Sequence, residues 1–174
     1  MRKFSTRDLT LAAMIAALYA LLSCFSGIFG LAYGPLQFRF SEALCVLPFL
    51  FPAATPGLFV GCVIANLLSP YGPLDIVVGS LATLIAALWT ARMKRWYLAW
   101  VPPVVCNAVM VGFTIAFAET GATAALPAAW IYNGSTVGVG ELGVCLVLGS
   151  LLLRLMPQIK FFHDFIPEGR LHAA

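Results

Sequence analysis

Residues 9–29 read LTLAAMIAALYALLSCFSGIF, 21 consecutive positions without a formal charge. Wound as an α-helix at about 1.5 Å per residue, such a run matches the roughly 30 Å hydrocarbon core of a bilayer. Arg2 and Lys3 ahead of it, and Leu21-Leu22-Ser23-Cys24 within it, imitate a secretory leader with an imperfect lipoprotein processing site. The apolar run is longer than a leader's core, however, and further apolar segments follow. It is therefore read as a first membrane span.

The same reading carried along the chain predicts spans at about 8–29, 41–52, 56–69, 74–91, 98–118 and 136–156. The expected fold is an all-α membrane protein, six transmembrane helices in one bundle, with a single membrane domain over residues 1–156. The second and third spans are short and need tilting or shielding by neighbours. Residues 157–174 mix charges with Phe161, Phe162, Phe165 and Ile166, which predicts a cytoplasmic tail at the membrane surface. Composition agrees: 61% of the 174 residues are hydrophobic and 10% charged, against roughly 45–50% and about 25% in soluble domains. That excludes a soluble globular domain, a disordered chain and a disulfide scaffold. The five cysteines stand singly, with no CxxC and no nearby His pair, so no metal or redox site is expected.

Basic residues are retained on the cytoplasmic side of a membrane. With six spans, Arg2, Lys3, Arg7, Arg92, Lys94, Arg95, Arg154, Lys160 and Arg170 fall on one side, which predicts a multi-pass cell-membrane protein with both termini cytoplasmic. Arg39 is the exception. Glu42, Asp75, Glu119 and Glu141 gather toward the opposite, outer side.

A carboxylate within a span is costly and is a functional candidate by default. Glu141, one turn into the sixth span among Gly138 and Gly140, is the sharpest; an interhelical ion pair or hydrogen bond is its structural alternative. Asp75 opens the fourth span and reads equally as a helix-start residue favoured by the dipole or as a ligand contact. Arg39 and Glu42 are spaced to pair on one helical face, a latch compatible with ligand contact. Asn66, Asn107 and Asn133 offer both donors and acceptors, suited to the edge of a heterocycle and equally to tying helices together. Tyr33, Phe38, Phe40, Tyr71, Trp130 and Tyr132 supply rings on the same side, either as interfacial anchors or as stacking surfaces. Together these suit a polar, planar small molecule, either cationic or uncharged. Ala12, Ala16 and Ala20 form a smooth stripe, with Ala13 and Ala17 alongside. That stripe fits internal packing or the docking of another membrane protein.

Several separated motifs now resemble one family: Gly34-Pro35-Leu36-Gln37-Phe38-Arg39-Phe40-Ser41-Glu42, Pro56-Gly57-Leu58-Phe59-Val60-Gly61, Ala65-Asn66-Leu67, Asp75-Ile76-Val77-Val78-Gly79-Ser80, Pro102 to Ala108, and Val137-Gly138-Val139-Gly140-Glu141. In this order, over about residues 5–156, they resemble the QueT family. The resemblance implies a substrate-binding S component of an energy-coupling factor (ECF) transporter for queuosine precursors, and no enzyme. It implies a membrane T component and two cytoplasmic ATPases as partners, the bilayer as surroundings and no nucleic acid. No GxxxxGK[ST] loop occurs in the chain, so no cofactor is expected in it and ATP is expected to be used by partner subunits. It also implies that Ala12, Ala16 and Ala20 contact the T component.

The expected ligand is a 7-deazaguanine such as preQ1, or preQ0 or queuine. A guanine-type edge suits Glu141, and an aminomethyl ammonium suits Asp75 or Glu42. Asn66, Asn107 and Asn133 would meet the carbonyl or ring nitrogens, Arg39 would hold Glu42, and Trp130 or Tyr132 would cover the ring. The alternatives are an S component for another vitamin-like heterocycle and an autonomous ion-coupled carrier. An intramembrane hydrolase is disfavoured because His163 and His172 are confined to the tail.

Overall fold

A computed structural model describes residues 5–32, 37–163 and 165–171. Arg2, Lys3, Tyr33 and the Gly34-Pro35-Leu36 opening of the family motif lie outside the described residues. Those described are helical with no strand among them. Helix α1 runs Thr6–Ile28, followed by a 3₁₀ helix Phe40–Phe49, then α2 Ala54–Asn66 and α3 Pro73–Thr90. After a short 3₁₀ turn Trp96–Leu98, α4 Val101–Cys106 and α5 Gly112–Thr120 flank a π-helical stretch Asn107–Val111. Likewise α6 Leu126–Gly143 and α7 Ser150–Leu155 flank a π-helical stretch Val144–Gly149. Two short helices, α8 Lys160–His163 and α9 Glu168–Leu171, end the chain.

Four continuous helical segments, Thr6–Ile28, Pro73–Thr90, Trp96–Thr120 and Leu126–Gln158, are long and apolar enough to cross a membrane. The segments expected at 41–52 and 56–69 are helices of 10 and 13 residues. The first of these gains reach by its winding, since at about 2.0 Å per residue a 3₁₀ helix is longer than an α-helix of equal residue count. Every residue from Ser41 to Phe49 is buried, so this helix runs through the interior of the bundle. The last long segment opens at Leu126, well before the expected 136. Pro127 occupies its first turn, where the missing N–H costs nothing. That moves Trp130, Tyr132 and Asn133 from an expected outer loop onto a helix.

Ser5 caps α1: Asp8 N–H donates to Ser5 Oγ at 3.2 Å, and Ser5 N–H donates to the Asp8 carboxylate at 2.9 Å. Gly72, at φ 67°, turns the chain into α3, whose first residue Pro73 has φ already suited to a helix. Helices α1 and α2 approach until a Cβ on Gly57 would lie 2.3 Å from Ala12 O, and one on Gly61 2.7 Å from Ala16 O. The small-residue stripe of α1 thus has an internal partner. Ala12 and Ala16 are buried against α2, whereas Ala13 and Ala17 face outward and Ala20 is half-buried. The contact expected for Ala12 and Ala16 with another subunit has no exposed surface at those two positions.

The tail is docked onto the end of the bundle. Ile166 is buried in the main core, and the rings of Phe162 and Phe51 lie 5.6 Å apart. Arg170 donates to Phe49 O at 2.5 Å and to Ala91 O at 2.7 Å, its guanidinium 4.6 Å over the Phe49 ring. These carbonyls sit at the ends of the interior 3₁₀ helix and of α3. Burial pushes the Arg170 pKa down from its ordinary value.

Candidate functional site

The interior 3₁₀ helix is preceded by Arg39, whose backbone is extended, and carries Glu42 in its first turn. The segment ahead of it, Gln37 to Arg39, crosses α6 closely: a Cβ on Gly140 would lie 2.0 Å from Gln37 O. Glycine at 140 is therefore what allows the segment bearing Arg39 and Glu42 to lie beside Glu141. Phe38 packs over Gly143, where a Cβ would lie 3.1 Å from its ring.

Glu42 and Glu141 are 2% and 4% exposed. Asn107, the first residue of the π-helical stretch between α4 and α5, joins them: its Nδ2 donates to Glu141 Oε1 at 2.8 Å and reaches Glu42 Oε2 at 3.4 Å. A π-bulge re-aims side chains locally and is frequent at functional sites. The Tyr19 hydroxyl, from α1, donates to Glu42 Oε1. The Cys45 thiol donates to Glu42 Oε2 at 3.0 Å, and Cys145 opens toward the Glu42 carbonyl at 3.3 Å. Five elements thus converge on two carboxylates. Held in low dielectric, two carboxylates joined by an uncharged amide call for a compensating positive charge or proton.

Arg39 does not latch Glu42. Because its backbone is extended and outside the helix, the expected one-turn spacing is lost. Its guanidinium lies 3.8 Å from Asp75 Oδ2 and 3.4 Å from Asn66 Oδ1. Asp75, 1% exposed at the start of α3, also accepts from Ser69 Oγ at 2.5 Å. Asn66 Nδ2 donates to Asp75 O at 3.0 Å, tying the end of α2 to α3. Asp75 therefore does more than begin a helix: its carboxylate is part of a buried polar group with Arg39 and Asn66.

Between these two groups is a cavity of about 20 Å³, lined by Gln37, Arg39, Glu42, Gly79, Thr83, Asn107, Val111, Val137 and Glu141. It brings together Arg39, Glu42, Asn107 and Glu141 of the sequence-predicted residues, with Asn66 and Asp75 behind its wall. It does not bring in the remainder. Asn133 Nδ2 donates to Glu119 Oε2 at 2.8 Å, an interhelical tie between α5 and α6. Trp130 is 39% exposed, its indole N–H donating to Val109 O at 2.9 Å and its ring edge-on to Phe113. Tyr132 is 64% exposed. On an α-helix, residues three apart share a face, so Trp130 and Asn133 both pack toward the Asn107–Thr120 segment while Tyr132 points away. Phe40 lies tilted against Phe25, with centroids 6.1 Å apart.

Sequence reasoning passed over Tyr19, Gln37, Gly79 and Thr83. Tyr19 has one signal: it carries a ring hydroxyl in the middle of an uncharged, mostly apolar run, and a buried Tyr O–H seeks a partner. Gly79 and Thr83 share one face of α3 with Asp75 at four-residue intervals.

The model of the QueT transporter family matches residues 9–158. A curated protein, the queuosine precursor transporter QueT of Lactococcus lactis subsp. cremoris (strain MG1363), is 39% identical over 85 residues, 49% of this chain and 50% of the relative. The chain spans about half the length of the curated relative it matches. No solved structure matches.

Proposed function

The chain belongs to the QueT transporter family, and from that premise we propose that it is the ligand-binding membrane subunit of an ECF-type importer, capturing a queuosine precursor from outside the cell. The observation that carries this reading is the meeting of Glu42 and Glu141 over Asn107 at the wall of a buried cavity. Two carboxylates there suit a ligand that is both rich in N–H donors and cationic, as the amine-bearing 7-deazaguanine preQ1 is. The related transporter's name points to the same class of ligand. We assign the aminomethyl ammonium to the Glu42–Glu141 end, where two carboxylates outweigh the Arg39 guanidinium that lines the same cavity.

In this reading the four long segments and the two short apolar helices cross the membrane together as six spans, with the basic residues and both termini in the cytoplasm. ATP is hydrolysed by two partner ATPases joined through a T component. Contact with that component runs along α1 through Ala13, Ala17 and Ala20, since Ala12 and Ala16 are covered by α2.

Mass spectrometry of ligand retained by the detergent-purified chain, followed by calorimetry with preQ1, tests the ligand. Glu141→Gln is expected to weaken preQ1 at least tenfold, about 1.4 kcal/mol, with the fold intact. Unchanged affinity removes Glu141 from the site. Uptake by the chain alone in proteoliposomes without ATP overturns the ECF reading.

A further inference from the structure

One buried oxygen is left over. Asp75 Oδ2 is occupied by Ser69 at 2.5 Å and faces Arg39 at 3.8 Å. Asp75 Oδ1 is equally buried and has no hydrogen-bond partner among the described residues. Folded proteins rarely leave such an acceptor unpaired, and a structural carboxylate this well held on one side has no need of a bare oxygen on the other. Beside it stands Gly79, in the wall of the cavity. A Cβ at that position would lie 2.7 Å from Asp75 Oδ1 and 2.9 Å from Asn66 Nδ2. Only glycine lets the oxygen and the Asn66 amide sit this close behind the cavity wall, at a spot any larger residue would crowd.

Charge decides what belongs there. Arg39 faces Asp75 directly at 3.8 Å, whereas Glu42 and Glu141, in the same cavity, set two carboxylates against that one guanidinium. A cation gains more at the two-carboxylate end, and a neutral donor suffices at Asp75. Resting on the reading of the cavity as a 7-deazaguanine site, we infer that Asp75 Oδ1 accepts a neutral N–H of the ring's amino-substituted edge, and that Gly79 is the residue that admits it. Glu42 and Glu141 then take the aminomethyl group. This reverses the assignment that sequence chemistry alone favours, with Glu141 on the guanine-like edge.

The test is calorimetry on the full-length purified chain with three probes: 7-aminomethyl-7-deazaguanine, its analogue lacking the 2-amino group, and the 7-cyano compound. The unmodified chain is expected to bind the first at least tenfold more tightly than either of the others. In Asp75→Asn the ratio between the first two should fall toward one, while the ratio between the amine and the nitrile persists. Gly79→Ala, which keeps the carboxylate but crowds Oδ1 with a Cβ 2.7 Å away, should produce the same selective collapse and serves if Asp75→Asn does not fold. Retention of the 2-amino preference in the folded variants overturns the role of Asp75 while leaving the site's general reading standing. Absence of binding by all three probes to the unmodified chain overturns both.

Discussion

Replacing Gly61 by alanine adds one methyl group, at a position that touches neither carboxylate, and is expected to damage both stability and ligand affinity. The new Cβ would lie 2.7 Å from Ala16 O and 2.9 Å from Tyr19 Cβ, where ordinary contact begins at 3.4 Å. Both obstacles belong to α1, two of whose neighbouring turns meet α2 through Gly57 and Gly61, so neither can be avoided by rotating a side chain. Helix α1 must retreat by about 0.7 Å, a misfit of the size that costs about 1–3 kcal/mol in packed interiors. The retreat draws Tyr19 away from Glu42 Oε1, which that hydroxyl holds. Loss of one hydrogen bond to a charged group is worth about 1.5–3 kcal/mol, so the affinity for preQ1 is expected to fall by about tenfold or more. The assays are thermal unfolding in detergent and calorimetry on the same sample, with Gly138→Ala as control, because its Cβ would meet only the Ala108 methyl at 3.3 Å. If Gly61→Ala unfolds at the same temperature and binds as tightly as the unmodified chain, the close α1–α2 contact does not position Tyr19 and the reasoning fails.

Asn107→Asp would set a third carboxylate within 2.8 Å of Glu141 and 3.4 Å of Glu42. A loss of about 3 kcal/mol or more is expected, read as a lower unfolding temperature, and an unshifted transition would refute the bridging role. Arg170→Gln should release the docked tail by removing its bonds to Phe49 and Ala91. The expected cost is about 1–3 kcal/mol for a part-buried donor, with faster proteolysis between α7 and α9; unchanged cleavage would show the contact to be incidental. Trp130→Ala should alter ligand affinity by less than about twofold, some 0.4 kcal/mol, since the ring packs on Phe113 outside the cavity. A larger loss would return Trp130 to the site.

The apolar runs made the helical character legible, because charge-free stretches near 20 residues have few other uses. What they did not reveal was the path of the interior helix. Phe40–Phe49 looks in sequence like a marginal span, and its burial on all sides follows from neighbours that no local pattern names. The site was legible to the extent that carboxylates in apolar surroundings are costly and so conspicuous: Glu42, Glu141 and Asp75 all proved buried. Their partners were less legible. The spacing of Arg39 and Glu42 suggested a pair on one helical face, but the backbone at Arg39 is extended and directs it to Asp75 instead. Asn107 and Glu141 are separated by 34 positions and meet only through packing of the π-helical stretch on α6. Trp130, Tyr132 and Asn133 misled because polar and aromatic residues near a boundary suggest a loop, whereas the helix simply begins earlier.

The cluster as a whole is poorly suited to a purely structural role. Glu42, Glu141 and Asp75 are buried, and among the described residues one guanidinium, that of Arg39, lies with them. Ion pairs buried for structure alone seldom improve on well-packed apolar residues, and an excess of one sign is worse. Helices that already interlock through Gly57, Gly61 and Gly140 do not need carboxylates to find their register. The volume is equally telling: about 20 Å³ holds a water, while sites for small organic ligands occupy roughly 300–1,000 Å³. On the proposed function, a ring bearing an ammonium would have to separate the walls as it enters, and would bring a positive charge to the carboxylates. Charge and volume are satisfied by the same event. The excess of acid destabilises the closed cavity and favours the cationic ligand by the same interaction, so neutralising Glu42 or Glu141 should stabilise the empty protein as it weakens binding.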